Sequence, residues 1–183
     1  FPPSGPFDMW SFRLANLLVG NKETAAGLEC QFMGPTLRFT ADCVVAMCGA
    51  DMNSKIDGES MPMWESILIK GGQELTCGFA IKGARAYLAV SGGIDVPEVL
   101  GSRSTFHMAG VGGLEGHSLK VDQIITVGIP DEDPVQRRRV RKTCRPAISA
   151  DGRWDVEIVL GPNDDWIDEA GIKMFFDSEW KLQ

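Results

Sequence analysis

Glu74-Leu75-Thr76-Cys77-Gly78-Phe79-Ala80-Ile81, then Lys82-Gly83, then Ala84-Arg85-Ala86-Tyr87-Leu88-Ala89-Val90-Ser91, sets the pattern of the chain: strand-sized runs cut by a glycine turn signal. The pattern recurs on the N-terminal side. Residues 28–32, 36–40, 43–48 and 66–70 are short and β-branched or alternating, and Asp57-Gly58 and Gly71-Gly72 supply further turn signals. With 21 glycines and 10 prolines, few segments are long enough for a helix. Regularly spaced short strands predict a mainly β fold, a barrel or a sandwich.

Two stretches depart from this pattern. Asp8 is a predicted N-cap for a helix over 9–19, closed by Gly20-Asn21. Trp10, Leu14, Leu17 and Leu18 share one face, while Phe12 and Ala15 make the remainder apolar, so Arg13 and Asn16 form the only polar stripe. A helix apolar nearly all round is expected to be buried. Its two polar groups must then find partners or line a polar interior next to the 4–8 loop, because an unpaired buried polar group costs about 1–3 kcal/mol. A second helix is predicted from Asp164 to about Ser178, with acidic residues in its first turn as the helix dipole prefers.

At 183 residues the chain can hold one well-cored domain or two small ones. Its formal net charge of −7 argues against general nucleic-acid binding, which depends on neutralising phosphates. No apolar run approaches the roughly 20 residues of a membrane span. The chain opens on Phe1-Pro2-Pro3 without an initiator Met or a leader pattern, and the start reads as a cut. The five cysteines, at 30, 43, 48, 77 and 144, lack CxxC spacing and read as buried, reduced thiols of a cytoplasmic protein. His107 and His117 have no metal-ligand spacing, and no metal is expected. Gly110-Val111-Gly112-Gly113 lacks the strand-to-helix setting and the Lys-Ser/Thr of a phosphate-binding loop. Arg137-Arg138-Arg139-Val140-Arg141-Lys142 reads as a solvated charge run within a Pro-containing connection.

Two loops carry candidate chemistry. In Phe1-Pro2-Pro3-Ser4-Gly5-Pro6-Phe7-Asp8, a rigid turn delivers a hydroxyl and a carboxylate to a helix start, where Ser4 and Asp8 can hold a small polar ligand against backbone N–H groups. The structural alternative, that Asp8 only caps, is favoured by composition alone. In Gly92-Gly93-Ile94-Asp95-Val96-Pro97 and Leu100-Gly101-Ser102-Arg103-Ser104-Thr105, three hydroxyls surround one guanidinium whose fork suits a carboxylate, a phosphate or a planar carbonyl. A structural Arg that ties loops together fits the same residues. No GxSxG elbow and no Cys/His nucleophile pattern is present.

The order Pro3-Ser4-Gly5-Pro6-Phe7-Asp8, Phe12-Arg13-Leu14-Ala15-Asn16-Leu17-Leu18-Val19-Gly20-Asn21 and Ala26-Gly27-Leu28-Glu29 resembles the opening of the allophanate hydrolase subunit 2 family. The resemblance runs on through Gly34-Pro35-Thr36-Leu37-Arg38-Phe39, Gly49-Ala50-Asp51, Arg85 to Ile94, Leu100-Gly101-Ser102-Arg103-Ser104-Thr105, Gly161-Pro162-Asn163-Asp164-Asp165-Trp166 and Ser178-Glu179-Trp180, and so covers essentially the whole chain. Gly116-His117 and Lys120-Val121-Asp122-Gln123 depart from the family's pattern, so no role is carried to them.

The resemblance implies cyclophilin-like β-barrels and an incomplete part of a two-barrel domain: a barrel portion over 1–127, a charged connection over 128–153, and over 154–183 a strand and helix that begin the second half. Members include the carboxyltransferase of urea carboxylase and one component of the ATP-dependent 5-oxoprolinase, and some members are non-catalytic regulatory modules. Phe1-Pro2-Pro3 and Met61-Pro62-Met63-Trp64 look closer to the urea carboxylase branch. That branch implies transfer of a carboxyl group from carboxybiotin to urea to form allophanate. The biotin sits on a separate carrier domain, ATP and bicarbonate are used by a separate biotin carboxylase domain, and the isolated chain is expected to be inactive. Such chemistry asks the protein to orient both partners and to stabilise developing oxyanion charge. On this reading Arg103 and Ser104 are the catalytic candidates, and Ser4, Asp8, Arg13, Asn16 and Ser102 bind substrate or frame the loop that does.

Overall fold

Two nine-residue strands, β3 (Cys43–Asp51) and β8 (Lys82–Val90), explain the architecture because both of their faces are buried. Side chains alternate across a strand. Val45 and Met47 of β3 and Ala86, Leu88 and Val90 of β8 therefore enter one apolar cluster, while Val44, Ala46, Cys48, Tyr87 and Ala89 enter another on the opposite face. A pair buried on both sides needs a layer above and a layer below. The second sheet covers the first face, contributing Leu75, and helix α1 (Met9–Leu18) covers the second with Ala15 and Leu18, joined by Val19 just past its end.

The computed structural model describes residues 4–147, 149 and 154–180. Besides those three elements it contains β1 (Leu28–Gln31), β2 (Thr36–Arg38), β4 (Lys55–Ile56), β5 (Glu59–Ser60), β6 (Ser66–Ile69), β7 (Glu74–Thr76) and α2 (Glu169–Asp177). Two antiparallel sheets result, ordered β1-β8-β3-β6 and β2-β7-β4-β5. The mainly β expectation with two helices therefore holds. The pairing, however, makes two open sheets and not a closed barrel. Closure would need the outer edges of β1 and β6 to be paired with strands. The β6 edge is occupied instead by the charged run: Arg137 donates to Ser66 O at 2.8 Å, Ser66 donates to Arg138 O at 2.9 Å, and Val140 donates to Trp64 O at 3.0 Å. The arginine side chains stay exposed while their backbone is tied to the sheet.

All six expected strands are present, with differences at their ends. Lys82-Gly83, expected as a turn, opens β8, where Lys82 pairs with Asp51 across an irregularity between Gly49 and Asp51. Gly49 sits at φ +91° with Arg85 O only 2.5 Å from where a Cβ would stand, so this bulge requires glycine. Asp57-Gly58 is the two-residue turn of a β4–β5 hairpin too short for its apolar pattern to be read.

The helices also differ from expectation. Asp8 caps α1 by accepting from Ser11 N at 3.0 Å. Yet α1 is not buried all round, since Met9, Trp10 and Leu17 are exposed beside an inner face of Ser11, Ala15 and Leu18. One covered side is what a helix lying on a sheet offers. The second predicted helix is broken: Asp164–Trp166 forms one 3₁₀ turn, Ile167 is extended, and α2 starts anew with Asp168 accepting from Gly171 N at 2.7 Å. A mid-helix Asp that can cap draws the backbone out of the helix. The chain divides into two compact units, Phe1–Ile148 and Ser149–Gln183. No described residue of the second unit is buried.

Two carboxylates brace the turn that leads into β7. Lys70 and the Gly71 N–H hold the Asp42 carboxyl below its ordinary value of 3.8, and the Glu74 N–H with the Gln73 amide do the same for Asp57. A carboxyl depressed in the folded state stabilises fully above about the unfolded value and loses that contribution as the pH falls through the folded one. We predict a denaturation midpoint that is flat from pH 7 to 5 and declines below about pH 4. An Asp42→Asn/Asp57→Asn double variant should lose midpoint at neutral pH and show a shallower acid decline, as chemical denaturation across the pH series would show.

Candidate functional site

The 4–8 loop and the 101–105 loop meet. Ser102 Oγ donates to Ser4 O at 3.0 Å and accepts from Ser104 N at 3.1 Å, so one hydroxyl joins the two loops. Residues 1–3 of the first loop lie outside the described residues. Behind the contact, Val99 and Ser102 exchange backbone hydrogen bonds, which closes a tight turn around Leu100-Gly101. The glycine run read as no phosphate loop has a packing role: a Cβ on Gly112 would stand 2.2 Å from Ser104 O, and one on Gly113 2.0 Å from Thr105 Oγ1. Side-chain-free backbone thus presses on Ser104-Thr105 and sets their position.

The first loop is fastened from below. Tyr87 Oη accepts from the Asp8 amide at 2.7 Å, and both Asp8 oxygens accept from Ser11, one from its amide and one from its hydroxyl. Glu29 accepts from Phe7 N at 2.8 Å and from Arg85 Nη1 at 2.6 Å, and the Arg85 guanidinium lies 4.8 Å over the Phe7 ring. Burial, followed by the neighbouring Glu29 and Asp8 charges, pushes the Tyr87 phenol well above its ordinary value, with the Asp8 N–H opposing. Tyr87 therefore stays protonated, with its buried O–H directed toward Glu29 and its oxygen holding the Asp8 amide.

The predicted residues fall into three groups. Ser4, Ser102 and Ser104 meet at the loop contact, whereas Asp8, at the end of the first loop, is engaged with Ser11 as the cap. Arg103 donates to Val96 O and makes no ion pair among the described residues, which leaves part of its fork free on an exposed side chain. Arg13 and Asn16 part company. Asn16 is fully buried, donating to Ala25 O at 2.9 Å and to Glu23 O at 3.4 Å while accepting from Asn21 at 3.0 Å. Arg13 points outward to Glu23 at 3.6 Å, because its helix has a solvent side. Asn16 thus braces residues 21–25 and does not line an open cavity with Arg13.

Tyr87, Glu29 and Arg85 were not singled out from sequence. Tyr87 read as strand core, and the β1–β8 register that sets Glu29 opposite Tyr87 is a long-range pairing. The available signal was charge inside otherwise apolar strands. No group of three His, Cys, Asp or Glu is arranged to hold a metal among the described residues.

Hydroxyls, backbone amides and one guanidinium stand together on two joined loops above a two-layer antiparallel β scaffold. The chain matches the carboxyltransferase domain family, subdomains A and B, over residues 1–183, and it belongs to that family. It is 35% identical to the urea amidolyase of Saccharomyces cerevisiae over 99% of its length and 10% of that protein's. It is also 35% identical to a 5-oxoprolinase subunit of Escherichia coli over 97% of its length and 55% of that protein's. The crystal structure of the K. lactis urea amidolyase superposes with a TM-score of 0.89 at 36% identity, covering 100% of this chain and 12% of that one. The chain therefore spans about a tenth of the urea amidolyases it matches and about half of the oxoprolinase subunit.

We predict that Ser102→Ala separates the loops at a cost of about 1 kcal/mol, the ordinary net worth of a hydrogen bond. Urea denaturation should show that loss, and amide exchange should quicken at Ser104 while β3 and β8 stay protected. Unchanged exchange at Ser104 would mean that the loops are held together by other contacts.

Proposed function

We propose that this chain is part of the carboxyltransferase component of a urea carboxylase, where a carboxyl group passes from carboxybiotin to urea to give allophanate. The observation that carries the reading is the likeness to urea amidolyase along the entire chain, through both compact units. Carboxybiotin, delivered on a carrier domain and charged by an ATP- and bicarbonate-using biotin carboxylase domain, supplies the activated carboxyl group. The two open sheets are then a portion of a cyclophilin-like two-barrel domain whose remainder is a partner of this chain. No helix among the described residues is long and apolar enough to cross a membrane. A cytoplasmic location is part of the proposal and rests on the likeness to urea amidolyase.

The residues fit ligands of this kind. Urea presents N–H donors and one carbonyl acceptor, and a carboxylated ureido ring presents carbonyl and carboxylate acceptors. Arg103 and Ser104 offer donors for an oxygen that gains charge during transfer, while Tyr87, fully buried, acts only through the Asp8 amide it holds. Ser4 and Asp8 offer acceptors for urea N–H groups. Ser102 holds these two loops together, while Asn16 braces residues 21–25 and Arg13 lies outside through its pair with Glu23. Donors aimed at developing charge are the largest usual source of rate enhancement.

In the intact enzyme, Arg103→Ala should lower urea-dependent turnover about a hundredfold, equivalent to roughly 2–4 kcal/mol of activation energy. Biotin carboxylation and folding should be unchanged, and Arg103→Lys should be nearly as damaging because a single ammonium cannot reproduce the fork. Near-normal turnover of the Ala variant would remove Arg103 from the site. The match to the 5-oxoprolinase subunit favours a second reading, a protein that opens a lactam at the expense of ATP. ATP hydrolysis that responds to 5-oxoproline and not to urea would select it.

A further inference from the structure

Glu29, on the edge strand β1, is a carboxylate with only 29% of its side chain exposed. The β1–β8 register sets it directly opposite Tyr87 and diagonally across from Arg85, positions that a long side chain can reach on one face of an antiparallel pair. Three donors converge on it. Oε2 accepts from the Phe7 amide at 2.8 Å, Oε1 accepts from Arg85 Nη1 at 2.6 Å, and the Tyr87 O–H is directed at the same group. Tyr87 Oη in turn accepts from the Asp8 amide at 2.7 Å. Two consecutive amides of the 4–8 loop are thus held by one carboxylate, Phe7 directly and Asp8 through the phenol.

Stability alone does not call for a charge here. Desolvation offsets most of what a covered ion pair gains, and well-packed apolar residues of similar volume commonly serve as well. What the carboxylate supplies is a fixed place for the loop. The Asp8 side chain cannot supply it, because both of its oxygens accept from Ser11 and so fix the helix start. At its other end the loop is held by Ser102 Oγ on Ser4 O, and Pro6 stiffens the span between the two anchors. Arg85, drawn in by Glu29, lies 4.8 Å over the Phe7 ring and closes the clamp from the solvent side.

We propose that Glu29 is a positioning residue for urea: by holding the Phe7 and Asp8 amides it sets where the 4–8 loop stands, and through the loop it sets the affinity for urea and not the rate of transfer. The inference rests on the reading of this loop as a urea contact in the reaction proposed above. Glu29 itself touches no substrate, since both of its oxygens are engaged by the protein.

The first arm of the test uses the whole 183-residue chain and amide exchange followed by NMR. Glu29→Gln keeps the shape and one acceptor oxygen but cannot serve three donors. Exchange at Phe7 and Asp8 should quicken about tenfold, the worth of one hydrogen bond to a charged group, while β3 and β8 stay protected. Tyr87→Phe cuts only the indirect arm, so Asp8 should quicken and Phe7 should not. The second arm uses the intact enzyme. Glu29→Gln should raise KM for urea about tenfold and change kcat by less than about twofold, whereas a protein merely destabilised would lose kcat with its inactive fraction at an unchanged KM. Arg85→Met should raise KM in the same direction, and Arg85→Lys, which restores a cation for the carboxylate, should bring it back. Unchanged exchange at both amides, exchange quickened throughout β3 and β8, or a fall in kcat at unchanged KM would overturn the proposal. Should Glu29→Gln fail to fold, Tyr87→Phe and the Arg85 pair carry the same comparisons. An unaltered enzyme that turns over no urea would remove the reaction, while the clamp at Phe7 and Asp8 would stand or fall on exchange alone.

Discussion

Burial of both faces of the β3–β8 pair is the constraint from which the rest follows. Ten alternating side chains on two adjacent strands leave water on opposite sides of one sheet, so neither α1 nor the second sheet is optional. The magnitudes support this ranking. Truncating a buried Leu, Ile or Met in such a core costs about 2–5 kcal/mol, whereas a single loop hydrogen bond is worth about 1 kcal/mol. The core thus holds the fold, and the weaker hydrogen bonds decide where the loops lie.

The loop chemistry is a by-product of the same packing. Tyr87 points toward α1 because β8 alternates, and that orientation puts its hydroxyl under the Asp8 amide. The edge-to-face contact of Phe12 with Tyr87, with ring centres 6.0 Å apart, keeps the phenol in place. Buried thiols around the core are made inert by the same environment: burial, with the nearby Cys77 and Glu29 adding to it, pushes Cys30 up to about 12. A thiol held so high is protonated at neutral pH and is a poor nucleophile.

Glycine acts at three separate seams. Gly49 permits the bulge between β3 and β8, and Gly112 and Gly113 let backbone press on the Ser104 loop. Gly92 and Gly128 meet backbone to backbone, each with the other's carbonyl within 2.5 Å of its missing Cβ. The high glycine content that read as frequent turns therefore also serves close approach, a use that no turn signal predicts.

Local pattern alone determined six of the eight strands, the Asp8 cap, the mainly β class and, through the ordered motifs, the family. These are short-range properties: alternation, turn residues and capping chemistry act within a few positions. Whether the sheets closed, which side of α1 faced water, and that Arg137 to Val140 would occupy the β6 edge depended on pairings between residues far apart in the chain. So did the meeting of Ser102 with Ser4 and of Trp64 with Arg145. Residues separated by 98 and 81 positions carry no mutual signal in one sequence, and only the tertiary structure, by burying β3 and β8 on both faces, brings them together.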